Sequence, residues 1–296
     1  MHADEVEIDD GLARRLVSSR FPRWADLPLR RVSSAGTDHA IFRLGDDLSV
    51  RLPRIGWASG QAEKEHRWLP RLAPRVPVEV PAPIELCAPT DEYPFPWCVA
   101  PWLPGETAEL DRIDDVRRLA ADLARFVTCL HAIDTEGGPR PGEMGFSRGE
   151  PPAERDRETR ASIEAAAGLI DVDATTAAWD AALAVPPWSG PGVWVHGDLL
   201  PGNLLVVDDR LSAVIDWGGL AVGDPAADLM TAWSTLPPAA RRVFRDGVEV
   251  DDDTWERARG WAISFGAMAL PYYQRTNPTL AAIARRAIDE ALTDRR

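Results

Sequence analysis

His196-Gly197-Asp198-Leu199-Leu200-Pro201-Gly202-Asn203 and, thirteen residues after that asparagine, Asp216-Trp217-Gly218 decide how this 296-residue chain is read. Two oxygen-bearing side chains, Asp198 and Asn203, stand five apart on one short loop, and Asp216 opens the next one. Val193-Trp194-Val195 and Leu204-Leu205-Val206-Val207 read as apolar β segments on either side. Leu211-Ser212-Ala213-Val214-Ile215 reads as a strand that delivers Asp216 at its end. Phosphoryl transfer needs this set: a carboxylate to orient and deprotonate an attacking hydroxyl, and hard oxygen ligands for Mg²⁺ bridging nucleotide phosphates. Asp, Asn, Gly and Pro also fill ordinary turns. Turns do not require this order across the thirty-three residues from His196 to Asp228.

The spacing resembles the H-R-D-x-x-x-x-N and D-F-G pair of protein kinases. With Gly197 after the histidine, Trp217 after the aspartate and Gly223-Asp224-Pro225-Ala226-Ala227-Asp228 downstream, the chain looks more like the aminoglycoside phosphotransferase family of small-molecule kinases. The resemblance covers about residues 30 to 235, with its specific motifs between 193 and 228. It implies an α+β, bilobal protein-kinase-like fold with a small β-rich N-lobe and a larger, mostly helical C-lobe. A nucleotide-binding lobe is expected over residues 1–100, a hinge over 101–106, and a catalytic and substrate-binding lobe over 107–296. By the same resemblance Asp198 is the base and orienter of the substrate hydroxyl, and Asn203 and Asp216 bind Mg²⁺. His196 supports the catalytic loop through hydrogen bonds, and Asp228 buttresses it from the following helix. Asp224 caps that helix, with Pro225 at its first turn.

Along the chain, Asp9-Asp10 cap an amphipathic run through Leu12, Leu16 and Val17 that stops at Phe21-Pro22. A first strand is expected over 30–34. Ala40-Ile41-Phe42-Arg43-Leu44, a Gly45-Asp46-Asp47 turn and Leu48-Ser49-Val50-Arg51-Leu52 form a hairpin. Residues 59–72 have helical spacing through Ala62, His66, Leu69 and Leu72. Further strands are expected at 84–87 and 97–100, before the Pro- and Gly-interrupted hinge. Helices are expected over 115–131, 152–169, 174–184, 237–245, 252–270 and 278–292. The polar, Gly- and Pro-rich stretch 135–152 reads as a long loop.

Positions in this layout supply the rest of a nucleotide site. The loop joining the first two strands, with Ser34, Gly36 and Thr37, sits where a nucleotide-covering loop belongs, although it has one glycine rather than three. On the third strand Leu48, Val50 and Leu52 share one face, while Ser49 and Arg51 share the other. Arg51 is therefore the candidate cation for the α/β-phosphates, in place of the usual lysine, and Arg54 is its competitor. Lys64, the only lysine in the chain, lies in the following helix. An arginine there can bind phosphate oxygens bidentately and stays charged. Glu65 is at the position of the family's glutamate that holds this cation, and Glu63 faces elsewhere. Hinge backbone at Ala100 and Trp102 is expected to hydrogen-bond the purine. The loop departs from the pattern at Leu200, where protein kinases have lysine and many relatives histidine, so no cation comes from the loop itself.

Composition limits the partners. The net charge is −14, and the sequence pI of about 4.8 argues against nucleic acid and anionic membrane. Acidity suits a cationic small-molecule acceptor and also simply keeps a protein soluble. No run approaches eighteen apolar residues, and His2-Ala3-Asp4-Glu5-Val6-Glu7 is acidic, which excludes a transmembrane helix and a secretory leader. Cys87, Cys98 and Cys129 have neither disulfide-framework nor zinc spacing. The expectation is a cytoplasmic, Mg²⁺- and ATP- or GTP-dependent kinase of a small-molecule hydroxyl, an aminoglycoside-like acceptor being favoured, with antibiotic resistance as its consequence. The acidic clusters Glu154-Arg155-Asp156 and Asp251-Asp252-Asp253 are candidates to receive ammonium groups. Macrolide and metabolic sugar or choline-type kinases share the fold. Arg51 and Leu200 leave open a nucleotide-binding pseudokinase, and His196, Asp198 and Asp216 a metal-dependent hydrolase.

Overall fold

The first helix, α1 (Asp10–Arg20), starts where the Asp9 carboxylate accepts the Leu12 N–H at 2.6 Å. This satisfies one of the orphan donors of the first turn. The computed structural model describes residues 5–32, 38–143 and 147–294. Within it the chain divides into two units, Met1–Pro74 with Glu79–Pro104, and Arg75–Val78 with Gly105–Arg296.

The smaller unit is built on an antiparallel sheet of β1 (Leu29–Arg31), β2 (His39–Leu44), β3 (Leu48–Pro53), β4 (Glu85–Cys87) and β5 (Trp97–Pro101), in the order β1-β2-β3-β5-β4. The first strand, expected over 30–34, begins one residue earlier and ends at Arg31; Ser33 and Ser34 lie outside the described residues. Leu12, Ala13, Leu16 and Val17 of α1 join Phe42, Val50, Leu52, Trp97 and Val99 of the sheet in one core. Alternation along β3 therefore puts Val50 and Leu52 into that core and sends Ser49 and Arg51 to the opposite face, where they too are buried.

Helix α2 (Gln61–Leu72) buries Gln61, Ala62, Lys64, Glu65, Trp68, Leu69 and Leu72. His66, expected on the inner face, is exposed. The apolar spacing misled because this helix turns a charged pair inward, which apolar periodicity does not register.

The larger unit contains a three-stranded sheet, β6 (Glu106–Thr107), β8 (Leu204–Val207) and β9 (Arg210–Val214), and a ribbon of β7 (Val193–Val195) with β10 (Ala221–Gly223). Asp208 and Asp209 form the β8–β9 turn, both with φ near +50 to +59°. Two central residues in the left-handed region match the twist of a tight hairpin, and Asp tolerates that region better than most. The helices are α3 (Val116–His131), α4 (Asp156–Ala165), α5 (Val172–Ala184), α6 (Ala226–Leu229), α7 (Thr231–Ser234), α8 (Pro238–Val248), α9 (Asp252–Tyr273) and α10 (Pro278–Thr293). The expected 152–169 helix is shorter: Pro152–Arg155 is a 3₁₀ turn, and α4 ends at Ala165. Trp179, Trp194, Trp217, Trp233 and Trp261 are fully buried. No helix among the described residues is long and apolar enough to cross a membrane.

Candidate active site

Between β7 and β8 the chain folds back through His196, Asp198 and Asn203, and the turn is tied by its own side chains. The Asn203 amide Nδ2 donates to the Asp198 carbonyl at 2.8 Å and to Asp198 Oδ2 at 2.9 Å. With its NH₂ so placed, the amide presents its oxygen as a ligand. The Ile215 N–H donates to the Asn203 carbonyl at 2.9 Å, which sets Asp216 beside the loop. Asp216 has φ 63° and ψ 70°, a left-handed conformation that Asp and Asn tolerate best among residues with a side chain. Two neutral or anionic oxygen donors on adjacent turns fit a hard divalent cation such as Mg²⁺, which takes one or two protein ligands and the substrate's phosphates.

His196 is wholly buried and lies against the Trp217 ring, centroids 4.6 Å apart. Its Nδ1 accepts the Asp198 N–H at 3.2 Å, so the ring proton sits on Nε2 and is donated to the Ile215 carbonyl at 3.1 Å. Burial lowers the His196 pKa, opposed by the Asp228 charge. A neutral ring with both nitrogens engaged is a brace rather than a metal ligand, which removes the main support for the hydrolase alternative.

Beneath the loop Asp228 is fully buried and takes three hydrogen bonds. The His196 N–H donates at 3.1 Å, the Gly197 N–H at 2.7 Å, and His131 Nε2 lies at 3.1 Å. Asp224 accepts the Ala226 N–H at 3.0 Å and pairs with buried Arg257 at 2.8 Å. His131 and Arg257 were not foreseen, since nothing in their local sequence separates them from other helix residues.

Asp198 keeps about 29% of its side chain exposed, and Arg148 Nη2 lies 3.8 Å from its Oδ1. Burial raises the Asp198 carboxyl above its ordinary value; the Arg148 cation opposes the rise and Asp216 adds to it. A carboxylate shifted upward and still reachable from solvent can accept a proton from a hydroxyl set against it. Arg148 and Arg155 both lie over the buried Trp261 ring, at 5.8 and 5.1 Å from its centroid. Arg155 also donates to Ser264 Oγ and pairs with Glu158 at 3.3 Å.

In the smaller unit Arg51 Nη1 is ion-paired with Glu65 Oε2, both side chains at least nine-tenths buried. Arg54 takes another direction, its guanidinium 4.0 Å from the Glu5 carboxylate. Between Arg51 and Arg54, His39 is held well below its usual pKa, first by burial and then by the two cations. Ser34, Gly36 and Thr37 lie outside the described residues. At the expected hinge the Trp102 N–H donates to the Asp47 carbonyl at 2.7 Å, because the β2–β3 turn runs beside the end of β5. The Ala100 carbonyl already accepts Ser49 Oγ at 3.2 Å, and a carbonyl can accept twice.

The acidic clusters are employed within the fold. Asp156 binds Arg160 and the Trp179 indole, Asp251 caps α9, and Asp252 pairs with Arg245.

Residues 29–261 match the sequence model of the APH phosphotransferase enzyme family, and the chain belongs to that family. It is a phosphotransferase with an alcohol group as acceptor. An aminoglycoside 3'-phosphotransferase of Escherichia coli is 25% identical over 219 residues, 69% of this chain and 70% of the relative. The GDP and kanamycin complex of APH(2")-IIia has the same fold, with a TM-score of 0.75 at 19% identity, covering 94% of this chain and 97% of that one. Macrolide 2'-phosphotransferase MphH from Brachybacterium faecium is 28% identical, with a TM-score of 0.61 over 95% of this chain and 98% of its own.

Proposed function

We propose that this phosphotransferase moves the terminal phosphoryl group of ATP or GTP to one hydroxyl of an antibiotic-like small molecule in the cytoplasm. The observation that carries this reading is the tied loop: Asp198 partly exposed, Asn203 holding it, and Asp216 brought alongside by the Ile215–Asn203 hydrogen bond. Asp198 orients the acceptor hydroxyl and takes its proton. The acceptor oxygen bonds to the γ-phosphorus while the bond from phosphorus to the β,γ-bridging oxygen breaks, and the nucleoside diphosphate leaves with that electron pair. Asn203 and Asp216 would hold Mg²⁺, which would neutralise phosphate charge when bound. Arg51, fixed by Glu65, binds α/β-phosphate oxygens as a planar, permanently charged fork. Its intact pairing favours a working kinase over a pseudokinase.

An aminoglycoside acceptor is supported by the E. coli relative. A macrolide acceptor is the second reading, favoured by the 28% identical MphH and by the two arginines over Trp261 beside Asp198, which suit a polycation poorly. The test is diphosphate release from MgATP and MgGTP over a panel of both antibiotic classes, followed by mass spectrometry of the product. Transfer to one class assigns the acceptor. Tight nucleotide binding without transfer to any panel compound or to water would establish the pseudokinase instead.

A further inference from the structure

We infer that Arg148 supplies, from outside the catalytic loop, the cation that the loop lacks at Leu200, and that it positions Asp198 for transfer. The inference rests on the reading of Asp198 above. Its two carboxylate oxygens have different partners: Asn203 Nδ2 holds Oδ2 at 2.9 Å, and Arg148 Nη2 faces Oδ1 at 3.8 Å. A carboxylate held at one oxygen still pivots about that contact; held at both, it keeps the orientation an acceptor hydroxyl must meet.

The neighbouring backbone is shaped to admit this arginine. Gly197, with φ +78°, has no side chain where a Cβ would come within 2.5 Å of Arg148 Cβ and 2.8 Å of its Cγ. A Cβ on Gly219 would stand in ordinary contact with the same Cγ, at 3.5 Å, and 2.7 Å from the His196 carbonyl. The stem thus packs against the turn after His196, and the guanidinium lies over Trp261. Only 13% of the Arg148 side chain is exposed. Burying a cation this deeply is costly without a partner, and the Asp198 carboxylate stands 3.8 Å from it. Leu200, where a loop cation would stand, is itself buried.

Arg148→Met and Arg148→Gln both keep the packed Cβ and Cγ and remove the charge, while Arg148→Lys keeps a charge on a flexible stem. Each is compared with the wild type for kcat, nucleotide affinity and melting temperature. MgATP is used with whichever panel acceptor the wild type phosphorylates, or with water if there is none. The neutral variants should lose about ten- to a hundred-fold in kcat, the usual scale for a partner that orients a reacting group, with nucleotide affinity within about two-fold of wild type. Arg148→Lys should recover several-fold over Arg148→Met. If the Met variant does not fold, the Gln and Lys pair decides. Neutral variants with wild-type kcat, or a Lys variant no better than the neutral ones, would overturn this role while leaving the kinase reading intact. A wild type that turns over nothing, water included, would overturn both.

Discussion

Charge is handled differently in the two units. In the smaller one, Arg51 and Glu65 are ion-paired with both side chains at least nine-tenths buried. In the larger one, the catalytic turn gathers Asp198, Asp216 and Asp228, and meets Asp198 and Asp228 with the Asn203 amide, two backbone N–H groups and the His131 ring. A buried pair is all or nothing, because removing one partner strands the other in a low-dielectric interior. A carboxylate among several donors can be adjusted by degrees, which suits a group that must take up and release a proton.

The largest expected effect is in the larger unit. Asp198→Ala should cut phosphoryl transfer by about 10² to 10⁴ while nucleotide affinity holds. Near-normal turnover would break the contrast at its centre. Next, Asp228→Ala strands the His196 and Gly197 amides, and each orphaned buried donor costs about 1–3 kcal/mol. Urea denaturation should report that loss, and Asp228→Asn, which keeps one acceptor oxygen, should recover part of it.

In the smaller unit, Arg51→Ala should cost roughly ten- to a hundred-fold in nucleotide affinity. Arg51→Lys should keep part of it, and Arg54→Ala should do far less. If Arg54→Ala is the crippling change, the phosphate cation is assigned to the wrong face of β3. The smallest effect is acid sensitivity. The His39 pKa is lowered in the folded state below 6.5, so the unfolded chain binds the extra proton, and stability falls as pH drops through 6.5. That slope is at most about 1.4 kcal/mol per pH unit for one group. Denaturation between pH 5 and 7 should show a flatter limb for His39→Gln, and an unchanged limb would refute the assignment.

The catalytic turn is legible in the sequence because its parts are neighbours along the chain. Asn203 reaches Asp198 across five positions, and one short hairpin delivers Asp216. Strand alternation places Arg51, since β3 is a regular strand with an apolar core on one face only. What escaped notice depends on distant segments. Arg148 comes from a Gly- and Pro-rich stretch fifty positions before Asp198, and no periodicity links the two. The signal that could have found it is an absence, a catalytic loop with no cation of its own, joined to the glycine at 197. The two-residue β6 escaped because its hydrogen bonds to β8 are almost its whole definition. His66 was placed inward because a period counts apolar residues and takes no account of a Lys–Glu step that turns inward.

The backbone at Asp216 narrows what chemistry can replace it. A residue at φ 63° admits asparagine and glycine readily, while alanine or glutamate there adds strain of about 1 kcal/mol or more to whatever else it changes. Of the substitutions that discharge the position, asparagine alone keeps the size and the preferred backbone together. For anyone engineering this enzyme, the pose of the turn sets the admissible alphabet at 216 before any metal is considered, and Asn is its one neutral letter with a side chain.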